Sequence, residues 1–209
     1  MTNLTGKTLA WNRRPLHRRT LAQGLAGPLA RVLGIAAALF WCGTFLPGNI
    51  RAEKQIYSEY EIKAAFIYNF MKFVEWPADA LPQSGSPLVI GIFGKDPFGP
   101  VLDNAVKDRT AQGRSIIVRR FASLDEVRNC QLLFIAASEN GRLALTLEHL
   151  KGLPVLTVGD SPGWARKGVI INFFIADDKV QFEINVDATG RSGLKISSKL
   201  LSLARVVKD

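Results

Sequence analysis

Three short runs without a single charge, Leu88-Val-Ile-Gly-Ile-Phe93, Gln131-Leu-Leu-Phe-Ile-Ala136 and Pro154-Val-Leu-Thr-Val158, constrain the fold more than anything else in this chain. Each is of strand length, and none alternates apolar with polar residues in the way a half-wet strand does. Each therefore needs cover on both faces, which is the situation of a strand inside a parallel sheet with helices above and below. A fourth run, Ser115-Ile-Ile-Val-Arg-Arg-Phe121, lies between the first two. Helical stretches fill the gaps: Phe98 to Lys107 is one, and Gly141 to Lys151, with Leu143, Leu147 and Leu150 on one side, is another. Ser123-Leu-Asp-Glu126 has the spacing of a capping box. This β-α rhythm gives crossover connections and a largely parallel sheet.

The rhythm changes towards the end. Val169 to Ile175 and Val180 to Val186 are separated by Ala176-Asp177-Asp178-Lys179, which reads as an antiparallel hairpin. Val180, Phe182, Ile184 and Val186 alternate with Gln181, Glu183 and Asn185, so the second group is expected on a wet face. Ile196, Leu200, Leu203 and Val207 then fall at helical spacing and predict a last helix. The expectation is one α/β domain with a mixed, mostly parallel sheet of about six strands, flanked by helices and closed by a C-terminal antiparallel hairpin and helix.

Ahead of the sheet, Ser58 and Glu61 form a second capping box, and a helix is expected from there to Trp76, where Pro77 stops it. Its apolar residues, with Lys63 among them, span an arc of about 180°, against the roughly 100° that an ordinary surface helix needs. Glu61, Lys72 and Glu75 mark the wet side. The excess arc means either a central core helix or a helix that also meets another chain. On the second reading Phe66, Phe70 and Phe73 are core, and the edge formed by Tyr60, Ala64, Ile67 and Met71 faces a partner.

The N-terminus reads as an address. Residues 1–52 hold seven of the 27 basic residues and no acidic one. Val32 to Leu46 is uncharged, has the length of a signal-peptide core, and falls short of the roughly 20 residues a membrane span needs. Pro47-Gly48 breaks it, and Ala52 stands where a signal peptidase cuts, so the mature, exported domain is expected to run from Glu53 to Asp209; an uncleaved anchor is the alternative. The formal charge of +9 then resolves into an address and a body of 20 basic and 18 acidic residues. A body so nearly neutral gives no support to a nucleic-acid-binding surface.

Little catalytic chemistry is visible. The mature chain has one thiol, Cys130, and one imidazole, His149, too few for an internal disulfide or a Cys/His metal site. Cys130 opens an apolar strand and reads as a buried thiol or, alternatively, a redox-sensitive one. Gly91-Ile-Phe-Gly94-Lys95-Asp96 follows the first strand but lacks the spacing of a phosphate loop. Ligands of α/β sheets bind at the carboxyl ends of strands. Those ends carry Lys95, Asp96, Ser138, Glu139, Asp160 and Ser161, which either line a small polar cleft or, in the case of Ser138 and Asp160, cap helices. No nucleophile–base pair and no cofactor motif is apparent, so a non-enzyme without cofactor is expected.

Four separated segments carry a resemblance. IKAAFIYNFMKFVEWP (62–77), NCQLLFIAASE (129–139), LTVGDSPGWARKGVIINF (156–173) and QFEINVDATGRSGLKISSKLLSLARVV (181–207) are similar to the YfiR family of exported regulatory proteins, over essentially all of 57–207. The resemblance implies a small periplasmic α/β domain, often dimeric, that binds the periplasmic sensor part of an inner-membrane diguanylate cyclase and holds it inactive. It also implies an outer-membrane lipoprotein able to sequester the repressor, so that cyclic di-GMP and biofilm rise. The best-studied relatives carry disulfides, whereas this mature chain has Cys130 alone. A periplasmic small-ligand sensor or solute-binding module, using the strand-end cleft, is the alternative function.

Overall fold

The structure, a computed structural model, describes residues 58–81, 83 and 85–209; the signal-peptide reading and the domain start at Glu53 lie outside the described residues. In chain order the elements are α1 (Glu59–Phe73), β1 (Val74–Glu75), β2 (Leu88–Phe93), α2 (Pro100–Val106), β3 (Thr110–Ala111), β4 (Arg114–Phe121), β5 (Leu132–Ile135), α3 (Leu143–His149), β6 (Leu156–Gly159), β7 (Ile171–Ala176), β8 (Lys179–Asn185), α4 (Val186–Arg191), β9 (Lys195–Ile196), α5 (Ser198–Leu201) and β10 (Arg205–Val207).

Eight strands form one sheet in the order β10-β8-β7-β6-β5-β2-β4-β3, and β1 pairs with β9 in a separate two-stranded ribbon. The five strands from β7 to β4 run parallel. β8 is antiparallel to β7, β3 is antiparallel to β4, and β10 is parallel to β8. The α/β class, the parallel centre and the closing hairpin are thus as the sequence predicts. The hairpin turn is two residues long: Ala176 pairs with Lys179, and Asp177 and Asp178 adopt φ of 50° and 56°, the left-handed pair that matches strand twist.

The uncharged runs are covered on both faces, as they must be. Leu88, Ile90, Ile92, Leu132, Phe134, Leu156 and Val158 point to the side of α1 and α2. Val89, Phe93, Leu133, Ile135 and Val155 point to the other side, where Leu143, Leu150, Trp164 and Cys130 meet them. On the first side Phe70 packs on Phe173 and Phe182 at ring separations of 5.7 and 5.2 Å.

Four local expectations need correction. The first helix ends at Phe73, not Trp76, because Val74 and Glu75 pair with Ile196 and Lys195. The Gln112 side chain, held on a turn with φ of 51°, donates to the Val74 carbonyl at 2.8 Å just past the helix end. The last helix is a single turn, Ser198–Leu201; the chain then extends so that Arg205–Val207 satisfies the open edge of β8. Two of the three residues of β8 assigned to water are buried, and Gln181 is half-buried: Glu183 accepts from Arg205, and Asn185 donates to the Ala165 carbonyl while accepting the Ala188 N–H that starts α4. The Glu126 carboxylate accepts the Ala122 and Ser123 N–H groups, but only one 3₁₀ turn, Glu126–Arg128, follows.

Candidate functional site

The carboxyl ends of the parallel strands form two separate places rather than one cleft. At the first, between β2 and β5, the strand order reverses, which is where α/β sheets usually open a crevice. Here it is filled. The Lys95 N–H donates to Ser138 Oγ at 2.9 Å, and Glu139 is buried beside it with Arg142 at 2.5 Å. Asp96 accepts the Phe98 and Gly99 N–H groups and pairs with Arg120 Nε at 3.0 Å. Arg120 continues to Asp103, whose carboxyl it holds below the usual range chiefly through their hydrogen bond. Lys95, Asp96 and Glu139 are thus parts of a packed turn. Ser138 does not cap a helix; it serves Lys95.

The second place is at the end of β6. Asp160 accepts from Lys63 Nζ at 2.7 Å and from the Tyr60 hydroxyl at 3.1 Å. Lys63 also meets Glu59 at 2.5 Å and lies 4.5 Å over the Tyr60 ring. The Lys63 side chain is only 3% exposed and that of Asp160 7%. Burial alone pulls the lysine pKa down, but the hydrogen bonds to Asp160 and Glu59 outweigh it and leave the ammonium above its ordinary value. Burial and the nearby Asp160 charge raise the Tyr60 hydroxyl. On the same cavity, of about 420 Å³, stand Asn172, Glu183 and Arg205. The Asn172 amide donates to the Ser161 and Phe173 carbonyls and to Glu183, and its buried Oδ1 has no partner among the described residues. Asp160 therefore anchors a buried lysine and caps no helix.

Of the residues proposed from sequence, then, Asp160 and Tyr60 enter this cluster by their side chains and Ser161 by its carbonyl. The sequence reading places Lys63 in the apolar arc of the first helix and Glu183 on a wet strand face, and singles out neither Asn172 nor Arg205. The available signal was a lysine inside an apolar helical arc and polar residues inside strands. Three of the four segments carrying the resemblance converge here.

The proposed partner edge of α1 is a further correction. Ala64, Ile67 and Met71 are fully buried, as is Phe70, whereas Phe66 and Phe73 are half-buried. The core face of the helix is rotated towards the very edge assigned to a partner, because that edge is the one that fits between the sheet and α2. The open side is instead the seam Glu61, Ile62, Ala65 and Asn69, which with Val101 and Ala105 of α2 borders a groove of about 660 Å³.

Cys130 is buried, and its thiol donates to the Val127 carbonyl at 3.3 Å. Burial pushes its pKa up to about 12. In the unfolded chain the thiol ionises near 8.5, so the folded state loses stability as pH rises from there towards about 12 and gains nothing below. Native protein should react slowly with a thiol reagent at pH 8, and fully in denaturant. Rapid native labelling would contradict this burial.

Among the described residues no helix is long and apolar enough to cross a membrane, and no group of three or more His, Cys, Asp or Glu is placed to hold a metal ion. A family model described as YfiR/HmsC-like matches residues 60–205, well over half of the chain. No curated protein matches it.

Proposed function

We propose that this chain, which belongs to the YfiR/HmsC-like family, acts in the periplasm by binding the periplasmic sensor region of an inner-membrane diguanylate cyclase and holding it inactive. Membership ties the chain to regulation of diguanylate cyclase signalling, and to a regulatory rather than a catalytic role. The match over residues 60–205 is the observation that carries the reading. The basic, then apolar, N-terminus supports export. An outer-membrane lipoprotein that sequesters the repressor completes the circuit.

Binding represses only if it favours the inactive arrangement of the cyclase. Taking a two-state enzyme from 99:1 active to 99:1 inactive needs a differential affinity of about 10⁴, or about 5.5 kcal/mol. An interface of standard size is enough for that. Deleting the gene should raise cyclic di-GMP and surface attachment, and the full chain should restore both. The same chain without residues 1–52 should fail to restore them, because it stays in the cytoplasm. Unchanged cyclic di-GMP in the deletion strain, with the protein expressed in its parent, would falsify the repressor reading.

One observation favours a second reading, a periplasmic small-ligand sensor: the 420 Å³ cavity lined by buried Lys63, Asp160 and Asn172. A metabolite that raises the melting temperature of the wild type but not of Asp160→Asn, with no protein partner recovered from membranes, would put that reading ahead.

A further inference from the structure

One end of the sheet stops on an edge that its own chain leaves open. β3 pairs only with Arg114 and Ser115, so among the described residues β4 has no outer neighbour strand from Ile116 to Phe121. The direction of the free groups follows from β2. The Val89 and Phe93 carbonyls accept the Gln131 and Ala136 N–H groups, so every second residue from Val89 faces β5, and Ile90 and Ile92 face β4. Ile90 lies opposite Val118, and a parallel ladder joins it to the residues on either side, Ile117 and Arg119. Val118 and Arg120 therefore direct their N–H and C=O groups outward, where they meet no partner among the described residues. Val118 is half-buried and Arg120 exposed, so the edge is within reach of another chain.

The side chains along this edge decide what can pair with it. β4 carries Arg114, Arg119 and Arg120 and no acidic residue. Arg120 is taken by Asp96 and Asp103, and Arg114 by the Gln83 and Ser86 carbonyls. Arg119 is exposed and has no ion pair among the described residues. Before it stand two half-buried apolar residues on opposite faces, Val118 towards α1 and Ile117 towards the Trp164 side. We infer that the free edge of β4 is a docking site for an extended, acidic segment of a partner protein, which adds to the sheet as a further strand. The outward N–H and C=O groups call for main-chain partners, which neither a helix nor a lipid surface presents. Residues opposite one another on neighbouring strands share a face. Apolar residues opposite Ile117 and Val118, and a carboxylate opposite Arg119, therefore complete the edge. A second copy of the same edge is a poor occupant, because it brings another uncompensated Arg119 onto the short free stretch and supplies no acid. The inference concerns how a protein partner is held, and it stands whether or not that partner is a cyclase.

Amide hydrogen exchange, read by NMR on protein purified from cells expressing the full chain, tests it. The probe is a blocked peptide made of repeated Val-Val-Asp units. Without it the Val118 and Arg120 amides should exchange fast, and those of Ile117 and Arg119, held by β2, slowly. Saturating peptide should slow Val118 and Arg120 by about tenfold or more. The same peptide with every amide N-methylated should not bind, since it cannot donate to the edge. A Val-Val-Lys version should bind about tenfold more weakly than the acidic one, and Arg119→Glu should reverse that preference. Val118→Pro removes an N–H that the fold does not use, so it should keep a cooperative melt and lose the peptide. Should that variant fail to fold, the charge reversal at exposed Arg119 decides the matter. No slowing at Val118 and Arg120, equal binding of the N-methylated peptide, or an unchanged preference for the acidic peptide in Arg119→Glu would each overturn the inference. Slowing of those two amides by raised protein concentration alone would also overturn it, and give the edge to a second copy.

Discussion

Glutamate in place of Ile67 should leave no folded domain. Ile67 is fully buried on α1, in the same core as Phe70, Met71 and the strand residues Ile90 and Phe134. The substitution removes a packed aliphatic side chain, worth roughly 2–5 kcal/mol in a large-to-small change. It also puts a carboxyl into the core, where the cation one turn back on the same face, Lys63, is already held by Asp160 and Glu59, at a further cost of several kcal/mol whether the group stays charged or takes up a proton. A domain of this size has about 5–15 kcal/mol in total. Phe70→Ala, which only leaves a cavity, should cost about 3–5 kcal/mol and keep a cooperative, lower melting transition. Ala65→Glu, two residues before Ile67 but on the open seam, should melt like the wild type. Circular dichroism melts and the yield of purified protein check all three. An Ile67→Glu variant with wild-type melting would mean that this edge of α1 is not core.

That contrast shows where sequence periodicity stops. The apolar arc of α1 was legible, and so was its wet side at Glu61, Lys72 and Glu75, all three exposed. Which edge of a wide arc is covered was not, because the answer depends on the positions of α2, β7 and β8, which the helix itself does not encode. The central strands were legible for the opposite reason. A charge-free run of five or six residues has no wet face to assign, so its burial does not depend on what packs against it. The polar strand residues misled for a related cause. Glu183 and Asn185 alternate with apolar neighbours as a solvated face would, yet Arg205 satisfies Glu183 from 22 residues away, and Ala165 together with the adjoining start of α4 satisfies Asn185. Lys63 is the clearest case: its burial beside Asp160 brings together residues 97 positions apart, and no local pattern announces such a pair. The terminal strand β10 was hidden because the edge of β8, rather than the propensity of residues 205–207, decides its conformation. The family resemblance, resting on four ordered segments, was legible before any of this and agrees with the match over residues 60–205.

Alanine at Gly94 should be among the most damaging small substitutions in the sheet. Gly94 has φ of +95°, and a Cβ there would come within 2.5 Å of Ser138 Oγ and 2.6 Å of Glu139 Cγ. The left-handed backbone costs about 1–3 kcal/mol for a side chain that rarely adopts it. Crowding against a filled site adds about 1–3 kcal/mol. The reduced freedom of the unfolded chain offsets only about 0.4–1 kcal/mol. Gly152 supplies the control, because its φ is +74° and nothing lies within 4 Å of the added carbon. Gly152→Ala bears the backbone strain alone, so the difference between the two variants in urea unfolding isolates the crowding at Gly94. Ser138→Ala in the Gly94→Ala background should recover part of that difference and no more, since the Glu139 contact remains and the Lys95 N–H loses its acceptor. The glycine after the first long strand is then required by a plugged switch point, not by a phosphate passing close to the backbone. Equal costs at Gly94 and Gly152 would mean that Ser138 and Glu139 yield readily, that the crevice between β2 and β5 opens, and that Lys95, Asp96 and Glu139 regain their standing as a ligand cleft.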